Sequence, residues 1–84
     1  MCSQDIRMDR EAELRRLSQA DTHIAKAERA VSEQMIEIEQ LHLHGHDTAL
    51  AQATLEQFEN TLHVMRSHRN QIVKIIEKID EGLI

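Results

Sequence analysis

The sequence predicts an all-α fold: an antiparallel two-helix coiled-coil hairpin that dimerises into a four-helix bundle. The 84 residues contain no proline and only two glycines, so little in the chain interrupts a helix. Hydrophobic residues recur at alternating spacings of three and four on both sides of one central break. The apolar surface also exceeds what one hairpin can cover, and for this reason we expect two copies to associate.

The first helix is predicted over residues 7–43, after an N-terminal stretch, residues 1–6, that is expected to fray. Its apolar stripe has one polar member and fades at Glu13 and Arg10. The members of the stripe are Leu17, Ala20, Ile24, Ala27, Val31, Gln34, Ile38 and Leu41. This alternation is typical of a coiled coil sustained over several heptads.

A turn is predicted at residues 44–47, where the chain contains its only central glycine. Gly45 can adopt the left-handed conformation that ends a helix at low steric cost. Asp47 or Thr48 can accept a hydrogen bond from a free amide at the start of the next helix. Both helix ends at the turn are therefore encoded locally.

The second helix is predicted over residues 48–81. It carries a stripe with the same alternation, interrupted only by Arg69. The stripe consists of Ala51, Leu55, Phe58, Leu62, Met65, Arg69, Ile72, Ile76, Ile79 and Leu83. The chain therefore forms a single helical-hairpin domain in this prediction, with no separate second unit.

The two stripes face each other if residues whose numbers sum to about 89 are paired, because this register sets one seam position against another throughout. The flanking contacts that it predicts are Asp21 with Arg66, Arg7 with Asp80 and Glu28 with Glu59. A guanidinium at a seam position must reach outward or find a carboxylate, and Asp21 is well placed for Arg69. We interpret Asp21, Arg66 and Arg69 as residues that fix the register.

Two groups of apolar residues lie where the hairpin is not expected to cover them, and we predict that they form the interface of a homodimer. The group near the C-terminus is Val73, Ile75, Ile76, Ile79, Leu83 and Ile84, and the group near the turn is Met35, Ile36, Leu43 and Leu50. The alternative is that these surfaces bind an amphipathic helix of another protein.

The charge balance gives a net charge of -5, which disfavours a nucleic-acid partner because phosphate binding relies on clustered lysine and arginine. No stretch approaches the roughly 18 apolar residues of a membrane span, and the N-terminal residues lack the apolar segment of a secretion signal. We therefore expect a cytoplasmic protein without a membrane partner. The single cysteine, Cys2, cannot form an internal disulfide.

Three histidines alternate across the turn as His42, His44 and His46, which suggests a metal site because imidazole is a common ligand. Residues two apart diverge on a helix, so convergence requires the chain to leave the helix by His44. We favour the interpretation that these side chains interact with the helix dipole and keep the turn solvated, with a metal-binding protein as the alternative. No motif of a nucleophile, a phosphate loop or a paired cysteine is present, and neither an enzyme nor a bound cofactor is expected.

Several short segments resemble a group of short, uncharacterised bacterial helical-hairpin proteins. They are Thr22-His23-Ile24-Ala25, Ala27-Glu28-Arg29, Gly45-His46-Asp47-Thr48-Ala49, Phe58, Thr61-Leu62, Met65 and His68-Arg69. The resemblance covers roughly residues 20–75. It implies a helical hairpin, and it carries no activity, substrate or cofactor with it.

Overall fold

The structure, a computed structural model, describes the backbone of residues 6–82 and the side chains of residues 10–82. It contains two α-helices, α1 over Ile6–Leu43 and α2 over Ala49–Asp80. The helices pack against each other in antiparallel directions, and no strand occurs in the described part of the chain. The prediction of an all-α helical hairpin is confirmed.

The helix boundaries differ from the predicted ones by one residue at three positions. Helix α1 begins at Ile6, which the prediction placed in the frayed stretch, and residues 1–5 lie outside the described residues. Helix α2 begins after Thr48 and ends at Asp80. Differences of this size are normal at helix termini, where the last hydrogen bonds are incomplete.

The C-terminus of α1 is closed by the glycine at the turn. Gly45 has a φ of +74°, in the left-handed region. The His46 amide donates to the Leu41 carbonyl at 2.9 Å, and the Gly45 amide donates to the His42 carbonyl at 3.1 Å. This pair of hydrogen bonds is the Schellman motif, which satisfies carbonyls that the end of a helix would otherwise leave free.

The start of α2 uses both of the polar residues that precede it. The Asp47 carboxylate accepts a hydrogen bond from the Ala49 amide at 2.9 Å. Thr48 makes no such bond to the backbone, and its hydroxyl instead accepts from the Gln52 side chain at 3.0 Å. Asp47 is therefore the residue that satisfies an amide at this end.

The predicted seam is the interface between the helices. Every seam residue predicted from the sequence and described by the structure is buried or half-buried. The most enclosed cluster joins Ala20, Ile72 and Ile76, with Leu17 packed against it. Ile72 is only 3% exposed, yet no described side chain is completely buried. The hairpin therefore has a continuous but shallow core.

Two polar residues also occupy the seam. The Gln34 side-chain amide donates to the Ala51 carbonyl of the other helix at 3.0 Å. Glu13 is only 7% exposed, although the sequence pattern was expected to fade there. Arg16 donates to Glu13 Oε2 at 2.8 Å, whereas Oε1 has no hydrogen-bond partner. The seam thus continues through a buried carboxylate, because Glu13 precedes Leu17 by four residues and so stays on the same face.

Candidate functional site

The two edges of the seam differ in chemistry, and heptad letters make the difference clear. Seam residues occupy positions a and d, with Leu17 at a and Ala20 at d in α1, and Leu55 at a and Phe58 at d in α2. In an antiparallel pair, the e positions of both helices flank one edge of the seam and the g positions flank the other. We refer to them as the e edge and the g edge.

Three ion pairs cross between the helices along the e edge. Each includes at least one residue at an e position, and their side chains remain between 38% and 55% exposed. Such exposed pairs contribute little to stability. The pairs are Arg10 with Asp80 at 2.6 Å, Asp21 with Arg69 at 2.5 Å and Glu28 with Arg66 at 2.8 Å.

The Asp21–Arg69 pair lies within one residue of the predicted register, and it provides the carboxylate that the seam guanidinium requires. Arg66, predicted to lie near Asp21, instead donates to Glu28. The Asp21 carboxylate already accepts a hydrogen bond from Arg69, and the longer Glu28 side chain reaches Arg66. Glu28 was expected to face Glu59, and it now has a cationic partner.

Asp80 was predicted to lie near Arg7, whose side chain is outside the described residues. In the structure Arg10 donates to both carboxylate oxygens of Asp80, from Nε at 2.6 Å and from Nη2 at 3.3 Å. This hydrogen bonding lowers the pKa of Asp80; desolvation opposes it in part, and the Arg10 charge adds a smaller lowering. The same contact raises the pKa of Arg10.

A small acid-dependent loss of stability is expected from this pair. Because the folded-state pKa of Asp80 lies below its unfolded value, the contribution is fully present above the unfolded pKa and is lost as the pH falls through the folded pKa. Asp80→Asn should therefore lower the free energy of unfolding at pH 6, and the difference from wild type should be smaller at pH 2. Urea unfolding at both pH values measures this. A difference that is equal at both would exclude the ion pair as its cause.

The g edge carries an apolar groove between the helices with a volume of about 380 Å³. Small residues occupy the g positions beside it, Ala30 on α1 and Thr61 on α2, so the seam residues Phe58 and Met65 are only half-covered. The residues that line the groove are His23, Lys26, Ala27, Ala30, Phe58, Thr61 and Met65. In this groove, apolar atoms of the seam remain open to solvent.

Helix α2 extends this apolar surface on its outer side. Leu50, Val64 and Ile75 are 81%, 64% and 37% exposed, and they occupy c and g positions, which lie next to the g edge. We call the groove together with these three residues the association face. Sequence reasoning missed Val64. Leu50, Val64 and Ile75 all lie on the alternating c and g positions of α2. The positions between them on this face carry polar residues, which hide the pattern in the sequence.

The predicted C-terminal interface group is largely covered within the hairpin. Ile76 is 9% exposed and belongs to the core, while Val73 and Ile79 are half-buried. This corrects the expectation that this group lacks an internal partner, because Leu17 and Ala20 pack against the same cluster. Of this group, only Ile75 is exposed in the described part of the chain. Leu83 and Ile84 lie outside it.

The predicted group near the turn is exposed but does not form one surface. Leu50 belongs to the association face. Met35 is at an e position, and Ile36 and Leu43 are at f positions on the side of α1 that points away from α2. The four residues predicted as one patch are thus divided between different faces.

The structure does not gather the three histidines of the turn into one site. His44 Nδ1 donates to the Gln40 carbonyl at 2.7 Å, and His44 and His46 border a shallow depression that His42 does not line. Across residues 10–82, no group of three His, Cys, Asp or Glu side chains is close enough to hold a metal ion. His23 and His68 share another depression with Arg16, whose charge opposes cation binding.

No protein-family model matches the chain, and neither the curated proteins nor the solved structures include a significantly similar one. The resemblance to bacterial helical-hairpin proteins therefore stays a prediction. Within the described residues, neither helix combines the length and the apolar character needed to cross a membrane.

Proposed function

We propose that this chain is a non-enzymatic helical module whose activity is protein association, and that it associates with a second copy to form a four-helix bundle. The observation that carries the proposal is the imbalance between core and surface. Seven large hydrophobic side chains of the described part are more than a third exposed, while no side chain is completely buried. Covering the exposed ones would add the hydrophobic stabilisation that a single seam does not supply.

The dimensions of the hairpin support the same proposal. Its principal extents are 64 × 20 × 16 Å and its radius of gyration is 18.8 Å, against about 12 Å for a compact domain of this length. Its accessible surface of 6475 Å² compares with about 5,100 Å² for a compact monomer of this mass. The excess is larger than the roughly 800 Å² per partner that a standard interface buries.

The polar contacts of the hairpin also fit an association module better than an enzyme. In the region from residue 10 to residue 82, the side-chain hydrogen bonds are ion pairs, turn contacts, the Gln34 contact across the seam and contacts between residues of the same helix, in α1 and in α2. None of them joins a nucleophile to a general base. The grooves are shallow and open, whereas catalytic sites usually enclose their substrates.

Sedimentation equilibrium combined with thermal unfolding tests the proposal. The purified chain should sediment as a dimer at micromolar concentration, unfold cooperatively, and show a melting temperature that rises with protein concentration. A fully folded monomer at millimolar concentration would overturn the proposal. A poorly folded monomer that becomes helical when an amphipathic partner helix is added would instead establish the adaptor alternative.

A further inference from the structure

The α1 side of the association face carries charges that change sign along the helix. Arg16 and Lys26 lie toward the N-terminus, and Glu33 and Glu37 lie toward the turn. All four are exposed residues at c and g positions, and Lys26 lines the apolar groove. Ala30, a small residue that lines the groove, lies between the two halves. We call these four residues the α1 charge stripe.

The central charges of this stripe are complementary when the helix direction is reversed, because Lys26 and Glu33 lie at nearly equal distances on either side of Ala30. In a twofold-symmetric dimer, each contact from one copy to the other occurs twice, with the roles exchanged. If two α1 helices run antiparallel and Ala30 lies near the symmetry axis, Lys26 is set against Glu33 of the second copy. His23, at the next g position, is set against Glu37 of the second copy. Parallel α1 helices would place like charges together instead, which costs free energy.

We infer that the ligand of the association face is a second copy of this chain, bound with α1 antiparallel to α1 and with the two turns at opposite ends of the bundle. The inference rests on the proposed self-association and adds its geometry. Ala30 is a small residue at the g position nearest the axis, so it permits close approach of the two α1 helices, with Ala30 against Ala30. On the same face of α2, the residues from Leu50 to Ile75 at c and g positions carry no Asp, Glu, Lys or Arg.

The other arrangements use the charges less well. A bundle with both turns at the same end would pack α1 against α2 of the second copy, where the α1 charge stripe meets a face whose c and g positions from Leu50 to Ile75 carry no Asp, Glu, Lys or Arg. Packing through the e edge would bury the three ion pairs that already satisfy each other there. Desolvating such pairs is costly.

Single charge reversals test the inference. Glu33→Lys leaves only positive charge at the central positions of the stripe, and Lys26→Glu leaves only negative charge. Each variant alone should weaken the dimer by roughly tenfold in dissociation constant, because like charges then oppose each other twice. An equimolar mixture should form a heterodimer at least as tight as wild type, since each copy now complements the other. Glu39→Lys, at an exposed b position, is the control and should leave dimerisation unchanged.

A crosslinking experiment locates the symmetry axis independently. In a Cys2→Ser background, Ala30→Cys should be linked efficiently between copies by a short bismaleimide, whereas Ala25→Cys, exposed at a b position, should not. Circular dichroism checks that each variant remains helical.

The possible failures are distinguishable. A wild-type chain that stays monomeric overturns self-association itself. A wild-type dimer whose charge variants do not recover on mixing, or whose two cysteine variants crosslink equally, overturns only the antiparallel α1 arrangement. Recovery on mixing together with selective crosslinking at Ala30 supports both.

Discussion

Replacing Ile72 with alanine should lower the free energy of unfolding by about 2–4 kcal/mol. Ile72 is the least exposed of the core residues, and it packs in one cluster with Ala20 and Ile76. Truncation removes apolar contacts and leaves a cavity that the small Ala20 side chain cannot fill. For a shallow seam, a loss of this size is a large part of the total stability.

The matched control for this substitution is Ile36→Ala, which removes the same atoms from a side chain that is 58% exposed at the outer surface of α1. Its effect should stay below about 1 kcal/mol. Urea unfolding at a fixed protein concentration measures both variants, since association makes apparent stability depend on concentration. Equal losses in the two variants would show that Ile72 does not occupy the core of the hairpin.

Replacing Glu13 with leucine should raise the free energy of unfolding by about 1–3 kcal/mol. Glu13 is buried at a d position, and one of its carboxylate oxygens has no hydrogen-bond partner. Leucine has a similar volume, suits a seam position, and removes the cost of keeping a carboxylate away from water. The Arg16 side chain is 63% exposed, so it can turn to solvent when its partner is lost.

Two further variants separate the effect of charge from that of packing. Arg16→Ala should destabilise the hairpin, because both oxygens of Glu13 then lack a partner. Glu13→Gln keeps the shape of the side chain and should gain less than leucine does. If Glu13→Leu lowered the melting temperature, the carboxylate would have to make a favourable contact that the isolated hairpin does not contain.

The seam could be predicted from sequence because its physical cause is local. Steps of three and four residues place side chains on one helix face, and a glycine in the left-handed region marks the place where the chain reverses. The Asp21–Arg69 contact followed from the same pattern, since a guanidinium inside a seam needs the nearest carboxylate. Each of those features follows from the spacing of residues along one helix or from the properties of a single residue.

The remaining features depend on the length of side chains and on competition between them for the same partner. Arg66 can extend over several residues, and the choice between Asp21 and Glu28 was decided by the position of Arg69. The apolar pattern does not predict the burial of Glu13, because an acidic residue interrupts the stripe although its spacing continues it. The groove beside Ala30 was missed because it results from small residues on two helices that the sequence separates widely.

The distribution of burial along the seam has a consequence for how the hairpin closes during folding. The layers that are nearest in sequence lie beside the turn. In the predicted register each pairs one larger apolar residue, Leu41, Ile38 or Leu55, with a polar or small one, Thr48, Ala51 or Gln34, so each buries less apolar area than two facing aliphatic residues would. The cluster of Ala20 and Ile72 joins residues that are far apart in the chain, so it forms only after a large loop has been ordered. A hairpin closed only near its turn is therefore weakly stabilised. The chain gains much of its stabilisation when the distant layers meet, so closure is cooperative.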